Sequence, residues 1–217
     1  MQIPFITKER ADAMKEETIK QYKSRRNEAC LVRTDTGRSV KKTFTEESAF
    51  QRELQIYRLL ENADIPCARV LSAEGRTLVL TELPGENLVD CLARQEAAGQ
   101  PLWDVWDKLA AWLIGFHRHT GFVMTDVNLR NFLYDEASQT LYGLDFEECA
   151  PGSLLTAAAG VAAFVRTYAP ANTPLKQEIS QYILNLFARS CSLDLDDLLR
   201  ESGRQEATIL ERRNKRI

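Results

Sequence analysis

The sequence predicts an α+β fold of two lobes, a small antiparallel-sheet lobe carrying one helix and a mainly helical lobe after it. Three observations predict it. Short strand-like segments separated by glycine-containing turns fill the first third of the chain. The segment Glu82-Leu83-Pro84-Gly85-Glu86-Asn87 then interrupts the pattern, as Pro and Gly after an apolar strand do at a linker. Beyond it, apolar residues recur at helical spacing. The expected division is an N-terminal lobe of residues 1–84 and a C-terminal helical lobe of residues 85–217.

The elements follow in order. Ala29-Cys30-Leu31-Val32-Arg33 reads as a strand, Asp35-Thr36-Gly37-Arg38 as a turn, and Ser39 to Phe44 as the returning strand. A helix from about Glu46 to Glu61 comes next, because Phe50, Leu54, Tyr57 and either Leu60 or Leu59 repeat on one face. Pro66 ends that unit, and Val70-Leu71 and Thr77 to Thr81 form two more strands around the turn Glu74-Gly75. In the second part, Trp106, Leu109, Leu113 and Phe116 make an apolar stripe on a helix of about 102–119, which Gly121 ends. Trp103, Trp106 and Trp112 are read as packing residues. A short hairpin occupies 132–145, and helices over about 154–168, 175–190 and 194–212 complete the chain. In the second of these, Leu175, Ile179, Tyr182, Ile183 and Leu186 carry the period.

Composition narrows the function classes. The chain has 217 residues, 44% apolar and 27% charged, with a formal net charge of -3, so no global field draws it to nucleic acid or membrane. No apolar run approaches the roughly 20 residues that span a bilayer. Met1-Gln2-Ile3-Pro4-Phe5 lacks a basic-then-apolar signal pattern. The 5 cysteines are odd in number, dispersed and without a CxxC pair, which argues against a disulfide framework or zinc site and for a reducing cytoplasm.

The informative constellation lies in the middle. Asp126 is followed by Asn131, five residues on, and after the hairpin by Asp145-Phe146. Phosphoryl transfer needs an in-line nucleophile, neutralised phosphate oxygens and bridging metal ions rather than covalent help. Asp126 suits the task of orienting a substrate hydroxyl. Asn131 offers a neutral amide oxygen, and Asp145 the hard carboxylate that Mg²⁺ prefers. Such a site also needs a cation for the non-transferred phosphates and an acid to hold it. Lys41 and Lys42 lie on the candidate strand and Glu53 in the middle of the following helix. Side chains alternate along a strand, so one lysine alone faces the cleft. Lys42 is favoured, with Val40 on its face. Lys41 is the alternative, a register shift of one residue.

These residues resemble the protein-kinase-like superfamily, and within it the small atypical kinases: the RIO type, the KEOPS-complex kinase and the aminoglycoside-phosphotransferase-like enzymes. Val40-Lys41-Lys42 is similar to the third-strand lysine motif, and Arg52 to Leu60 to the helix carrying the partner glutamate. Thr81 to Leu88 resembles the hinge, which implies that the backbone at Glu82 and Leu83 meets adenine. Asp126 to Asn131 matches the catalytic loop and Asp145-Phe146 the metal-binding strand end. The resemblance spans roughly residues 18 to 150. It implies ATP and Mg²⁺ as cofactors, with Lys42, Glu53 and Asp126 in catalysis, Lys42, Glu82, Leu83, Asn131 and Asp145 around the nucleotide, and Asn131 and Asp145 on the metal. The implied activity is transfer of the γ-phosphate to a hydroxyl, foremost as an atypical Ser/Thr protein kinase. The alternatives are a small-molecule (sugar or antibiotic) kinase and a catalytically weak nucleotide-binding scaffold. The implied partners are ATP and a hydroxyl-bearing protein or small molecule.

The chain also departs from that pattern. Met124-Thr125-Asp126 lacks the usual His two residues before the Asp, Asn128 stands where many protein kinases carry Lys, and Glu147 follows Asp145-Phe146 where Gly is usual. Tyr22 to Glu28 occupies the place of a glycine-rich loop, so cradling phosphate falls to Ser24, Asn27, basic side chains and backbone N–H groups. No Ala-Pro-Glu motif follows Asp145. Three further features have plain readings: His117 and His119 as helix-end hydrogen-bonding groups, Asp194, Asp196 and Asp197 as a helix start, and the basic tail Glu211 to Ile217 as a solvated helix C-terminus, with RNA or an acidic partner as the alternative for the tail.

Overall fold

Strands β1 (Glu17–Tyr22), β2 (Glu28–Thr34), β3 (Gly37–Thr43), β4 (Val70–Glu74) and β5 (Thr77–Thr81) form an antiparallel sheet in the order β1-β2-β3-β5-β4. The structure is a computed structural model that describes residues 16–214 apart from Lys23 and Arg25. The segment Met1 to Phe5, two of the basic side chains expected beside phosphate (Lys23 and Arg25) and the end of the tail (Lys215 to Ile217) therefore lie outside the described residues. In β5, Leu78 and Leu80 are buried, and they pair with Lys42 and Val40 of β3, which places those two β3 residues on the same face. The sequence reading missed β1 because five of its six residues are exposed and carry no apolar alternation. Backbone pairing with β2 defines it.

Helix α1 (Glu47–Leu60) buries Phe50, Glu53, Leu54, Ile56, Tyr57 and Leu60. Leu60 thus completes the stripe, while Leu59 is exposed. After the sheet come a short β6 (Glu86–Asn87), α2 (Leu88–Ala98) and α3 (Trp103–Thr120). Asn87 caps α2 by accepting from the N–H groups of Val89 and Asp90, each at 3.1 Å. Gly121 closes α3 at φ 74°, as the sequence reading expected of it. Trp106 and Trp112 are buried in the core, whereas Trp103 sits at the rim against Tyr182, with ring centroids 4.5 Å apart.

Strand β7 (Phe122–Met124) pairs with β10 (Cys149–Pro151), and β8 (Phe132–Asp135) with β6 and β9 (Thr140–Gly143). The segments carrying Asp126, Asn131 and Asp145 are the connections between these small sheets, with a 3₁₀ turn at Leu129–Asn131. Helices α4 (Leu154–Thr167), α5 (Pro174–Cys191) and α6 (Leu195–Asn214) pack behind them. The buried face of α5 is turned slightly from the expected one. Ile179, Ile183, Leu184 and Phe187 are buried, and Leu175, Tyr182 and Leu186 flank them, partly buried. Tyr182 is drawn to the edge by the 2.6 Å hydrogen bond from its hydroxyl to Asp107. Asp194 opens α6 by accepting from the Asp197 N–H at 3.0 Å. His117 and His119 lie at hydrogen-bond distance, 3.0 Å each, from the carbonyls of Gly152 and Leu59, so they tie the end of α3 to its neighbours. The tail is less solvated than expected: Arg213 donates to the Thr167 carbonyl and its guanidinium lies 5.9 Å from the Phe164 ring. No described helix is long and apolar enough to cross a membrane.

An aromatic column joins the two parts. Phe146, fully buried, meets Tyr57 edge-on at 5.0 Å and stacks against Phe116 at 5.7 Å and Trp112 at 6.2 Å. Gly143 is what lets Trp112 lie flat here, since a Cβ at that position would sit 2.1 Å from the indole. We expect Gly143→Ala to destabilise the fold by about 1–3 kcal/mol through overpacking, read as a lowered urea midpoint at an unchanged m-value.

Candidate functional site

The β3 register decides which lysine enters the interior. Lys42 lies opposite Leu78 on the buried face, and its Nζ donates to Glu53 Oε2 at 2.7 Å and to Asp145 Oδ1 at 2.6 Å. Glu147 Oε2 lies 3.5 Å from the same ammonium. Lys41, on the opposite face, pairs instead with Glu16 at 2.9 Å. The alternation of the strand therefore turns Lys42 toward Glu53 and Asp145 and Lys41 away from them.

Glu53 is only 1% exposed, so its charge depends on that partner. Burial pushes its carboxyl up to about 7, against the pull of the Lys42 ammonium. For Lys42 itself, burial alone works to lower the pKa. The charges of Glu53 and Asp145 outweigh it and hold the ammonium protonated well above its ordinary value. The ring of Phe44 lies 4.7 Å beneath the same nitrogen. Carboxylate oxygens of Glu53, Asp145 and Glu147 all fall within 4.8 Å of one another around it.

Asp145 adopts φ 61°, a left-handed conformation that a non-glycine residue holds only when its surroundings fix it. On one side the Leu144 N–H donates to the Asn131 carbonyl at 2.8 Å, and on the other Phe146 is locked in the aromatic column. The same backbone contact brings the Asp126–Asn131 loop to the Asp145 segment. Within that loop, the Asn131 Nδ2 donates to the Asp126 carbonyl at 3.3 Å, and the Asn131 N–H to the Asn128 carbonyl at 2.8 Å. Thr125 adds a second tie, its hydroxyl donating to the Glu148 carbonyl at 2.5 Å. Asp126 keeps an exposed face, yet partial withdrawal from water raises its carboxyl above the ordinary value. Glu148 and Asp145 add to the rise, while Arg212 and Arg26 oppose it.

Lys42, Glu53 and Asp145 are thus in direct contact, Asn131 is tied to the same segment by a backbone hydrogen bond, and Asp126 is linked to it through the Asn131 amide. Glu82 and Leu83 stand apart from this cluster at the end of β5. The Glu82 carboxylate is gripped by both Nε and Nη2 of Arg38, at 2.6 and 2.7 Å, and Leu83 is partly buried against the core. The residues that sequence reasoning missed follow Asp145. Glu147 stood out only as a substitute for glycine, whereas it supplies a third carboxylate beside Lys42 and accepts from Asn27 Nδ2. Glu148 pairs with Arg26, and Arg52 Nη1 donates to the Glu147 carbonyl at 3.0 Å. The doubled acid after Asp145-Phe146 was the available signal. These groups border a groove of about 760 Å³ between the β1–β2 turn, the start of α1 and the 147–151 segment.

No protein-family model matches this sequence, and no curated protein matches it at the level of sequence. Among solved structures the chain is similar to the Cydia pomonella granulovirus kinase PK-1, at 19% identity and a TM-score of 0.52. The match covers 63% of this chain and 55% of that one, so it takes in little more than half of the viral kinase's length. That likeness establishes the fold: a kinase-like α+β arrangement of two lobes, with the five-stranded sheet in one and most of the helices in the other.

Removing Lys42 leaves Glu53 buried without its cation. We expect Lys42→Ala to cost about 3–5 kcal/mol at pH 8 by chemical denaturation. The raised Glu53 carboxyl means that the folded state of the variant binds more protons than the unfolded chain. Stability therefore falls as pH rises between the ordinary value of 4.5 and about 7 or above, and part of the loss returns on acidification through that window.

Proposed function

We propose that this chain is an ATP- and Mg²⁺-dependent phosphotransferase that moves the γ-phosphate to a hydroxyl group, with lobes meeting near Pro84-Gly85. The observation that carries the reading is the buried Lys42–Glu53 pair standing against Asp145, with Asn131 hydrogen-bonded both to the same strand end and to the Asp126 carbonyl. Each group then has work suited to its chemistry. Glu53 holds the Lys42 ammonium, which grips the non-transferred phosphates and leaves Asp145 as it does so. Val40 and Leu83, both partly buried beside the core, offer apolar surface to the base, and the backbone at Glu82 and Leu83 its hydrogen bonds.

The donor set fits Mg²⁺, because it consists of hard oxygens. Asp145 would supply a carboxylate. Asn131, whose amide nitrogen is engaged by the Asp126 carbonyl, would supply its amide oxygen. Bound there, the ion supplies neutralisation of phosphate charge. Asp126, its carboxyl raised above the ordinary range, orients the acceptor hydroxyl and draws off its proton as the oxygen attacks.

The test is a set of variants assayed for nucleotide binding and for phosphate release or transfer. Asp126→Ala is expected to lose turnover by 10²-fold or more and to keep nucleotide affinity. Asp145→Ala is expected to lose Mg²⁺-dependent binding as well. Lys42→Met is expected to cripple ATP affinity, and Lys41→Met to leave it within a factor of about two, since its pair with Glu16 is exposed. Unchanged turnover in the Asp126 variant would falsify the assignment.

A further inference from the structure

The turn between β1 and β2 is bound to the segment after Asp145 by side chains. The Arg26 guanidinium donates to Glu148, Asn27 Nδ2 donates to Glu147, and the Thr45 hydroxyl donates to the Arg26 carbonyl. The Thr45 N–H reaches back to Asn27 Oδ1 at 3.2 Å. Arg26 is therefore held beside Glu148, three residues past Asp145, and its charge is felt at Asp126.

Among the described residues, Lys42, Arg52 and Arg130 near this point have other partners, and Arg212 of α6 is a further cation whose charge reaches Asp126. Lys42 is enclosed by Glu53, Asp145 and Glu147. Arg52 lies on the Glu147 carbonyl. Arg130, the single cation of the stretch 126–131, donates to the Tyr168 hydroxyl at 3.0 Å and lies over its ring at 5.6 Å. Position 128, inside the same loop, is the neutral Asn128, whose side chain accepts from the Arg130 N–H. Among the described residues, Arg26 is thus the cation at this site whose partner is a carboxylate in a solvent-exposed pair, with side chains 70% and 40% exposed. Such a pair is weak. A terminal phosphate, with greater charge and oxygens spaced for a guanidinium fork, competes well against a single carboxylate.

We propose that Arg26 exchanges Glu148 for the terminal phosphate of a bound nucleoside triphosphate, supplying the positive charge that the Asp126–Asn131 loop does not bring. Glu148 is the parking place of that guanidinium when no nucleotide is bound. The inference rests on the phosphotransferase reading and makes the site selective for triphosphate over diphosphate.

Calorimetric titration of the full chain with Mg-ATP and with Mg-ADP tests it, in the wild type and in Arg26→Gln, Arg26→Lys and Glu148→Gln. The expected result for Arg26→Gln is an ATP affinity lower by about tenfold or more with ADP affinity changed by less than about twofold, and a partial recovery in Arg26→Lys. Glu148→Gln, which removes the competing acceptor, is expected to tighten ATP by up to about fivefold. Equal weakening of ATP and ADP in Arg26→Gln overturns the proposal, as does tightening of both, which marks the pair as a clasp that keeps nucleotide out. A wild-type chain that binds neither nucleotide sinks this proposal together with the phosphotransferase reading. Binding by the wild type without an ATP-specific loss in Arg26→Gln sinks this one alone.

Discussion

One ammonium group organises the interior of this protein. Lys42 belongs to a strand, Glu53 to a helix and Asp145 to a connection more than a hundred residues beyond Lys42, yet both acids meet the ammonium within hydrogen-bond distance. A carboxylate as buried as Glu53 is tolerated only with a partner, and a lysine as enclosed as Lys42 needs opposite charge around it. Each group makes the burial of the other acceptable, so sheet, helix and strand end are held in one relative arrangement. Three carboxylates about one cation leave that point negative, which favours the approach of further positive charge.

The apolar scaffold supports this polar centre from below. Phe146, adjacent to Asp145, is clamped between Tyr57 of α1 and the Trp112–Phe116 pair of α3. The clamp fixes the backbone that presents the Asp145 carboxylate and over-determines its left-handed conformation. The helix that carries Glu53 thus reaches Asp145 twice, once through charge and once through aromatic packing.

Much of this was legible in the sequence because the relevant signals are periodic or closely spaced. The stripes on α1 and α3, the glycine that ends α3, and the hairpin before Asp145 all report on local geometry, and they lie within a residue or two of their expected bounds. The spacing of Asp126, Asn131 and Asp145 singled out two loops that the fold brings together through the Leu144–Asn131 backbone bond. What could not be read was either tertiary or backbone in origin. β1 exists through pairing with β2 and shows almost no burial pattern of its own. Which of Lys41 and Lys42 turns inward depends on register against β5, so the sequence could favour Lys42 without fixing it. Glu147 and Glu148 acquire meaning only when the β1–β2 turn is seen lying beside them. The buried face of α5 is set by the position of Tyr182 at the rim, a contact with α3 that periodicity does not encode.

Helix α4 shapes the site by what it lacks. Ala157, Ala158, Ala159, Gly160, Ala162 and Ala163 are all buried, and a Cβ on Gly160 would stand 3.2 Å from the Val127 side chain, next to Asp126. Residues of this size have almost no rotamers to lose, so the surface behind the loop is ordered at little entropic cost and has few ways to yield. The loop therefore rests on something closer to a plain backbone wall than to interlocked side chains. Its position is insulated from the repacking that larger neighbours undergo, and bulk added at Gly160 is passed directly to the residue after the acid.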